Sequence, residues 1–268
     1  MATENEEKIF NAVRVSIEIL NEEYPKRKIN AHIATKMHRK VYEVLGVEDP
    51  YKAVKDKANQ VALKFLKPID EFVKKQEDVF KASAIASIIA NTFDYGVMGH
   101  RVAEDDFMVF FEKQYSRGLA IDDLNEIRAL CKGKVVYLTD NAGEIVVDTI
   151  FMREIKKLCK ELTVVVRGKP IISDATIEDA KLAGVDKIAD NLLTNGMGAI
   201  GIIEEELPKV TLEKLEEANV IIAKGMANYE SLSNARFKPI AFLLTAKCEP
   251  VARDIGVEVG DMVAMLRR

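Results

Sequence analysis

The chain has 268 residues, of which 48% are hydrophobic, so it can build one large domain or two modest ones and is not a disordered chain. Its formal net charge of -4 excludes a general nucleic-acid binder, because no basic excess exists to neutralise a phosphodiester backbone. No apolar stretch approaches the length of a membrane span. The acidic N-terminus and three well-separated cysteines predict a cytoplasmic protein with reduced thiols.

The N-terminal part, up to residue 118, has the pattern of an all-helical domain. Apolar residues recur at helical spacing in two early stretches, and residues 79–90 are apolar enough to predict a buried helix. A helix start is predicted at Asp49-Pro50 and a helix boundary at Pro68. The two periodic stretches are Ile9, Val13, Ile17 and Leu20, then Ile33, Met37, Val41 and Leu45.

After residue 118, strand and helix patterns alternate, which predicts a mostly parallel sheet covered by helices. We therefore expect an α/β protein, in which a helical domain (1–118) packs on a Rossmann-like three-layer α/β/α domain (119–268). The predicted strands are 134–139, 161–166, 219–223 and 239–245, with a further strand at 185–189 and an edge strand within 257–266. The predicted helices are 144–159, 176–183, 211–218 and 228–235.

The most informative segment is 140–144, with the sequence DNAGE, which follows a buried strand and opens a helix. In an open α/β sheet, such a strand end is where ligand sites form. The carboxylate of Asp140 and the amide oxygen of Asn141 suit a hard divalent cation. The helix N-terminus near Gly143 suits a phosphate group. Together they indicate chemistry on a phosphorylated compound.

A second polar cluster, residues 167–176, follows the next predicted strand and should emerge at the same sheet edge. Asp174 would ordinarily be interpreted as a helix N-cap. However, residues 176–179 (TIED) already form a capping pattern with Thr176 as the cap, which leaves Asp174 able to bind a cation. Arg167 offers a positive charge to a substrate phosphate.

Two more polar clusters follow the remaining predicted strands. Residues 224–230 (KGMANYE) bring Lys224, Asn228 and Glu230, although Asn228 could equally cap the next helix. Lys247 closes the last of these strands and could be an ordinary surface lysine. The two lysines supply positive charge for a phosphate, and Glu144 or Glu230 is a possible general acid or base.

The segment 196–201 (GMGAIG) matches the dinucleotide-binding pattern GxGxxG. That pattern has meaning only between a strand and a long helix, whereas 190–195 is turn-like and 202–208 is too short for the helix. We expect a glycine-rich loop beside the pocket. In the helical domain, Asn91 and Asp94 interrupt an apolar helix, and His32, His38 and His100 have no metal-binding spacing, so these histidines are predicted to be surface or structural residues.

The clusters, in order along most of the chain, resemble the signature segments of the metal-dependent damage-control phosphatases, in an archaeal type formerly assigned to a domain of unknown function. Asn91 and Asp94 resemble the polar pair of that family's helical part. The matching segments are 138–144 (LTDNAGE), 167–170 (RGKP), 174–176 (DAT), 224–230 (KGMANYE) and 245–248 (TAKC).

This resemblance implies one divalent metal, Mg, Mn, Co or Ni, at the junction of the two domains. It implies that Asp140, Asn141 and Asp174 are the metal ligands and that Lys247 contacts the substrate phosphate. It also implies that a further set of residues lines the pocket, namely Asn91, Asp94 and Glu144. The expected substrates are small phosphorylated metabolites, either sugar phosphates or damaged phosphometabolites, and the protein is a possible homo-oligomer.

The leading hypothesis is a metal-dependent phosphomonoester hydrolase, in which positioning and electrostatics dominate the reaction. Water is the favoured nucleophile, with the Asp140 carboxylate as the alternative. A second hypothesis is an S-adenosylmethionine-dependent methyltransferase that uses the loop 196–201 on its Rossmann-like sheet. A third is a non-catalytic sensor of phosphometabolites, which would bind sugar phosphates without turnover.

Overall fold

The computed structural model describes residues 3–93 and 107–268, which form eleven α-helices and a seven-stranded sheet. The helices are α1 (Glu6–Glu23), α2 (Asn30–Leu45), α3 (Lys52–Lys74), α4 (Val79–Ile89), α5 (Phe107–Arg117), α6 (Leu124–Leu130), α7 (Glu144–Lys156), α8 (Ile177–Ala183), α9 (Lys209–Glu217), α10 (Gly225–Leu232) and α11 (Glu249–Ile255). The strands are β1 (Ile121–Asp122), β2 (Lys134–Leu138), β3 (Glu161–Val166), β4 (Asn191–Thr194), β5 (Val220–Lys224), β6 (Ile240–Thr245) and β7 (Met262–Arg267).

The strand order β1-β7-β6-β5-β2-β3-β4 places a topological switch point between β2 and β5. From β2 the chain crosses to β3 and β4 on one side, and it returns through β5 and β6 on the other. All pairs are parallel except β6 with β7, which is antiparallel. Ligands of open parallel sheets bind at the carboxyl ends of strands beside such a switch point.

The central strands are apolar on both faces because both faces are covered by helices. Val135 and Tyr137 belong to one core, which also includes residues of α3, α4, α6 and α7. Val136 and Leu138 belong to a second core with residues of α9, α10 and α11. The α/β class and the three-layer arrangement predicted from the sequence are therefore confirmed.

The helical N-terminal part and the sheet share the first of these cores. Helix α4 packs against α7 and against β6 and β7, and its residues from Phe80 to Ile89 are all buried apart from Lys81. The buried helix predicted at 79–90 is thus confirmed. Helix α2 packs on α10, so it reaches the sheet edge at which β5 ends. The boundary between two domains at residue 118 stays a prediction.

Three local predictions were wrong. Pro68 lies inside α3 rather than at its boundary, because Ile69 and Val73 beyond it are fully buried and this packing offsets the cost of the proline. Residues 185–189 form no strand, since Val185–Lys187 is a 3-10 turn. The strand instead is β4, in the segment that looked turn-like, and within the described part of the chain it pairs only with β3. The short β1 was not predicted at all.

Candidate active site

The ends of β2 and β3 are joined by backbone hydrogen bonds that fix the positions of three polar side chains. The amide of Ala175 donates to the carbonyl of Asp140 at 2.8 Å, and the amide of Ala142 donates to the carbonyl of Ser173 at 2.9 Å. Asn141 and Asp174 form an isolated antiparallel bridge. Asp140, Asn141 and Asp174, which come from two separate β–α junctions, therefore lie together, as predicted.

The side chains of this cluster are buried and linked to one another. Asp140 Oδ2 accepts hydrogen bonds from Nδ2 of Asn91 at 3.1 Å and from Nδ2 of Asn141 at 2.9 Å. Asn141 Oδ1 accepts from the Ser173 hydroxyl at 2.9 Å. Asn91 belongs to the 3-10 turn after α4, so the helical part contributes directly to the cluster.

Gly225, the first residue of α10, lets β5 approach Asp140. Its φ is +76°, and a Cβ atom at this position would lie 1.9 Å from Asp140 Oδ2. Any other residue would therefore push the carboxylate away, besides being strained at that φ. The switch point thus brings a glycine of β5–α10 against the carboxylate at the end of β2.

A second, deeper polar network lies behind this cluster. The Lys224 ammonium is completely buried and donates to Asp148 at 2.6 Å, to Glu144 at 2.7 Å and to the carbonyl of Ser87 at 3.1 Å. The Ser87 hydroxyl donates to Asp148 at 2.6 Å. Asn91 Nδ2 donates to the other oxygen of Glu144 at 2.5 Å, which connects the deep network to Asp140.

Among residues 3–93 and 107–268, the site contains more buried carboxylates than buried cations. Four carboxylates, those of Asp140, Glu144, Asp148 and Asp174, are buried with two cations, Arg167 and Lys224. Arg167 Nε donates to Asp174 at 2.6 Å. Burial, followed by repulsion from Glu144 and Asp174, raises the pKa of Asp140 well above its usual value. Burial alone would lower the pKa of Lys224, but Asp148 and Glu144 outweigh it and raise that pKa.

These residues fit a hard divalent cation in two respects. Two carboxylates and one amide are the oxygen donors that such ions prefer, and an ion would offset the excess of buried negative charge. In residues 3–93 and 107–268 no three His, Cys, Asp or Glu side chains form a metal cluster, and the predicted set contains only two carboxylates. Asn141 donates from its nitrogen to Asp140, while its oxygen accepts from Ser173 and keeps a second lone pair that could bind an ion.

A cavity of about 420 Å³ opens above Asp140, Asn141 and Asp174. Helix α2 and Tyr51 contribute one part of its wall, and the start of α10 with Lys247 contributes another. Predicted residues at this cavity are Asn91, Asp140, Asn141, Asp174, Glu230 and Lys247. A larger groove of about 1040 Å³ lies between α1 and α2, but its lysines and glutamates pair with one another.

Five of the predicted site residues do not line this cavity. Glu144 and Lys224 lie behind it in the deep network. Gly143 donates its N–H to the Asn59 side chain at 2.7 Å, so this amide is not directed at a phosphate. Asn228 sits inside α10 and donates to the carbonyls of Thr139 and Lys224, which ties the ends of β2 and β5 together.

Arg167 is the fifth of these residues, and it is fully buried behind Asp174. Its two terminal nitrogens make no hydrogen bond to any residue that the structure describes. A contact between Arg167 and substrate stays a prediction. Asp94 lies outside the described residues.

Several residues at the site were missed from the sequence. His38 and Tyr51 line the cavity, although His38 was predicted to be a surface or structural residue. Burial lowers the pKa of His38, which favours its neutral form. Asp148 and Ser87 were also missed. The available signal was spacing, since Asp148 follows Glu144 by four positions and Ser87 precedes Asn91 by four, which places each pair on one helix face.

The glycine segment 196–201 does follow a strand, β4, contrary to the prediction, but a 3-10 turn and not a long helix comes after it. Ile200 lines the cavity, as expected of a loop beside the pocket. Gly198 lies against the backbone of Lys169, and Gly201 lies against that of Ala227. The glycines therefore pack the loop against neighbouring segments, which gives no support to a nucleotide cofactor.

The comparisons with known proteins identify the family of the chain. The family model of the damage-control phosphatase ARMT1-like domain matches residues 1–263. The chain belongs to this family. It is 61% identical to a damage-control phosphatase of Archaeoglobus fulgidus over 98% of this chain and 92% of that protein. It is 32% identical to the damage-control phosphatase PH1575 of Pyrococcus horikoshii over 99% and 91%.

A crystal structure supports the same assignment. The chain superposes on the DUF89 family protein PH1575 of Pyrococcus horikoshii with a TM-score of 0.90 and 31% identity, covering 100% of this chain and 92% of that one. Family membership makes the protein a phosphatase, as the sequence predicted, and the methyltransferase hypothesis is not favoured. Among the described residues, no helix is both long and apolar enough to cross a membrane.

Proposed function

We propose that the protein is a metal-dependent phosphatase that hydrolyses small phosphomonoesters, either sugar phosphates or damaged phosphometabolites. The observation that supports this most directly is the pair Asp140 and Asp174, buried at the switch point in a site with excess negative charge. The names of the relatives support hydrolysis of damaged metabolites. The cavity has the size of a small-metabolite site.

In this proposal Asp140, Asn141 and Asp174 hold a divalent cation, Mg, Mn, Co or Ni. The bound cation would supply Lewis-acid stabilisation of charge on a phosphoryl oxygen. Lys247, exposed at the rim of the same cavity, would contact the substrate phosphate. Asn91 would hold Asp140 and Glu144 in place through its two hydrogen bonds. The wall formed by α2 and Tyr51 would receive the rest of the substrate.

Water is the nucleophile that the contacts of Asp140 favour. One of its oxygens already accepts two hydrogen bonds and lies directly against Gly225, which restricts the carboxylate. Glu230 lines the cavity, and burial raises its pKa, so it is the candidate general acid or base that faces the substrate. Glu144 has both oxygens engaged, which suits positioning of Asn91 and Lys224 rather than proton transfer.

The proposal is tested by measuring phosphate release from sugar phosphates and from a chromogenic phosphate ester. Each assay uses wild type with Mg, Mn, Co or Ni, and with a chelator. We expect metal-dependent release that Asp140→Asn and Asp174→Asn reduce by at least about a hundredfold. Asp186→Asn is the matched control, because it makes the same change at an exposed position.

Three outcomes would contradict the proposal. Activity that survives the chelator would exclude metal dependence. Equal activity of the wild-type, Asp140 and Asp174 proteins would exclude this site. Binding of sugar phosphates without release of phosphate, with every metal, would favour the sensor hypothesis instead.

A further inference from the structure

Helix α1 has two apolar faces, of which only one is covered. Val15 and Ile19 are buried where α1 packs on α2. The other face is exposed in the described part of the protein and is called the α1 stripe below. The α1 stripe consists of Ile9, Phe10, Val13, Ile17 and Leu20 of α1, continued by Tyr24, the C-cap residue that follows the helix in helical conformation.

The spacing of the α1 stripe is that of a helix that pairs with another helix. From Phe10 to Tyr24 its members are separated alternately by three and four residues, which is the a/d repeat of a coiled-coil seam. The residues are strongly exposed, with Phe10 at 68%, Ile17 at 61% and Tyr24 at 72% of their full accessible surface. Single exposed apolar residues need no explanation, but six on one helix face mark an interaction site.

The α1 stripe is large enough for a protein interface. Six side chains of this size, each roughly half exposed, present on the order of 600 Å² of apolar surface. A standard interface uses about 800 Å² from each partner. The flanking polar residues of α1 supply the remainder, so the helix alone provides most of one side of a dimer contact.

The distribution of charge along α1 fits a second copy of the same helix in the opposite direction. Residues 4–8 carry three glutamates and one lysine, a net charge of -2. Residues 22–28 carry two glutamates and three basic residues, a net charge of +1, although Lys26 and Lys28 already pair with those glutamates within the subunit. Two antiparallel copies would place each acidic end beside the basic end of the other, and their helix dipoles would also be opposed. Parallel copies would place acid beside acid and base beside base.

We propose that the α1 stripe is a dimer interface, in which α1 pairs antiparallel with α1 of a second copy about a two-fold axis near Ile17. Ile17 is the middle residue of the seam, so it would face itself across the axis, while Phe10 of one copy would face Tyr24 of the other. A contact of this kind is isologous and closes after two subunits.

The first test is the mass of the full-length protein in solution, measured by light scattering over a dilution series. We expect wild type at twice the 30.0 kDa of one chain. Phe10→Glu with Ile17→Glu should give the single-chain mass with unchanged helical circular dichroism and unchanged phosphatase activity. Leu182→Glu, a comparably exposed leucine on α8, is the control that should remain dimeric. A monomeric wild type, or a dimer that survives the double substitution, would overturn the proposal.

The second test distinguishes the direction of pairing. Ile17→Cys should form an intermolecular disulfide on mild oxidation, because the two thiols would meet at the axis. Phe10→Cys should not, because the two copies of this position would lie about 20 Å apart along the helices. Wild type under the same oxidant controls for the three native cysteines. Cross-linking at position 10, or its absence at position 17, would exclude the antiparallel pairing.

Discussion

The two lysines of the site differ in what surrounds them. Lys224 is buried between Glu144 and Asp148 and is held by three hydrogen bonds, whereas Lys247 is exposed at the rim of the cavity. From the sequence, both lysines were predicted to supply positive charge for a phosphate, because each follows a predicted strand. Burial decides that Lys224 acts within the protein.

We expect Lys224→Met to lower the free energy of unfolding by about 3–5 kcal/mol, because it leaves two buried carboxylates without their cation. Lys247→Met should change it by less than about 0.5 kcal/mol but should lower kcat/KM about a hundredfold. Urea unfolding of both variants measures the change in stability, and steady-state kinetics measures the change in kcat/KM. Equal loss of stability in the two proteins would refute the assignment.

Asp148 should make the stability of the protein depend on pH. Burial raises the pKa of Asp148 to about 6 from its usual 3.8, against the opposing effect of Lys224. Between pH about 4 and about 6, Asp148 therefore keeps its proton in the folded state but has released it in the unfolded state. Because the folded state binds more protons, the free energy of unfolding falls as pH rises through this range. The free energy of unfolding of Asp148→Asn, relative to that of wild type, should rise by on the order of 3 kcal/mol as pH increases across that range. Urea titrations at several pH values measure this gain, and a flat difference would count against it.

The three candidate metal ligands, Asp140, Asn141 and Asp174, could be identified from the sequence because each follows an apolar strand and the ends of parallel strands converge. The sequence also indicated that Thr176 caps α8, which the capping box with Asp179 confirms. The deep polar network around Lys224 could not be predicted from the sequence. Ser87 and Asp148 lie 61 positions apart, and only the packing of α4 on α7 shows that they meet.

At the scale of elements, the start of α10 controls the position of Asp140. Gly225→Ala should reduce activity about a hundredfold, because the new Cβ displaces the carboxylate. Gly256→Ala is the matched control, since its φ is +86° and the space beside it is open. Both variants should lose about 1 kcal/mol of stability from backbone strain, and Gly225→Ala should lose more because its Cβ overlaps Asp140. Only Gly225→Ala should lose metal binding and turnover. Calorimetry with manganese and kinetic assays separate the two, and full activity of Gly225→Ala would disprove the role of close approach.

The predicted elements were most accurate where two-sided burial leaves an unbroken apolar run. Strands β2, β3, β5 and β6 were located within one residue at each end. The edge strand β4 was missed because it is half-buried, four residues long and begins with Asn191, so its composition resembles a turn. Pro68 suggested a helix end because local preference carries no information on the packing that lies beyond it.

At the scale of the whole molecule, bound metal should stabilise the fold in a pH-dependent way. At a metal concentration about a hundred times the dissociation constant, we expect the free energy of unfolding to rise by about 2.7 kcal/mol, which corresponds to roughly 5–10 °C in Tm. Burial and the Glu144 and Asp174 carboxylates raise the pKa of Asp140, so an ion that binds there must displace its proton. The gain should therefore shrink as pH falls. Thermal melts with manganese and with chelator measure it, and Asp140→Asn should show neither the gain nor its pH dependence.

The core shared by the helical part and the sheet constrains how the chain can be divided. Helix α4 covers the sheet face near β6 and β7, and residues such as Phe80 and Ile85 have their neighbours on α7 and the strands. A fragment that begins at residue 119 would lack α4 and would expose this apolar face of the sheet to water. We expect this fragment to aggregate on expression, and we expect co-expression with the helical part, as a second polypeptide, to restore its solubility.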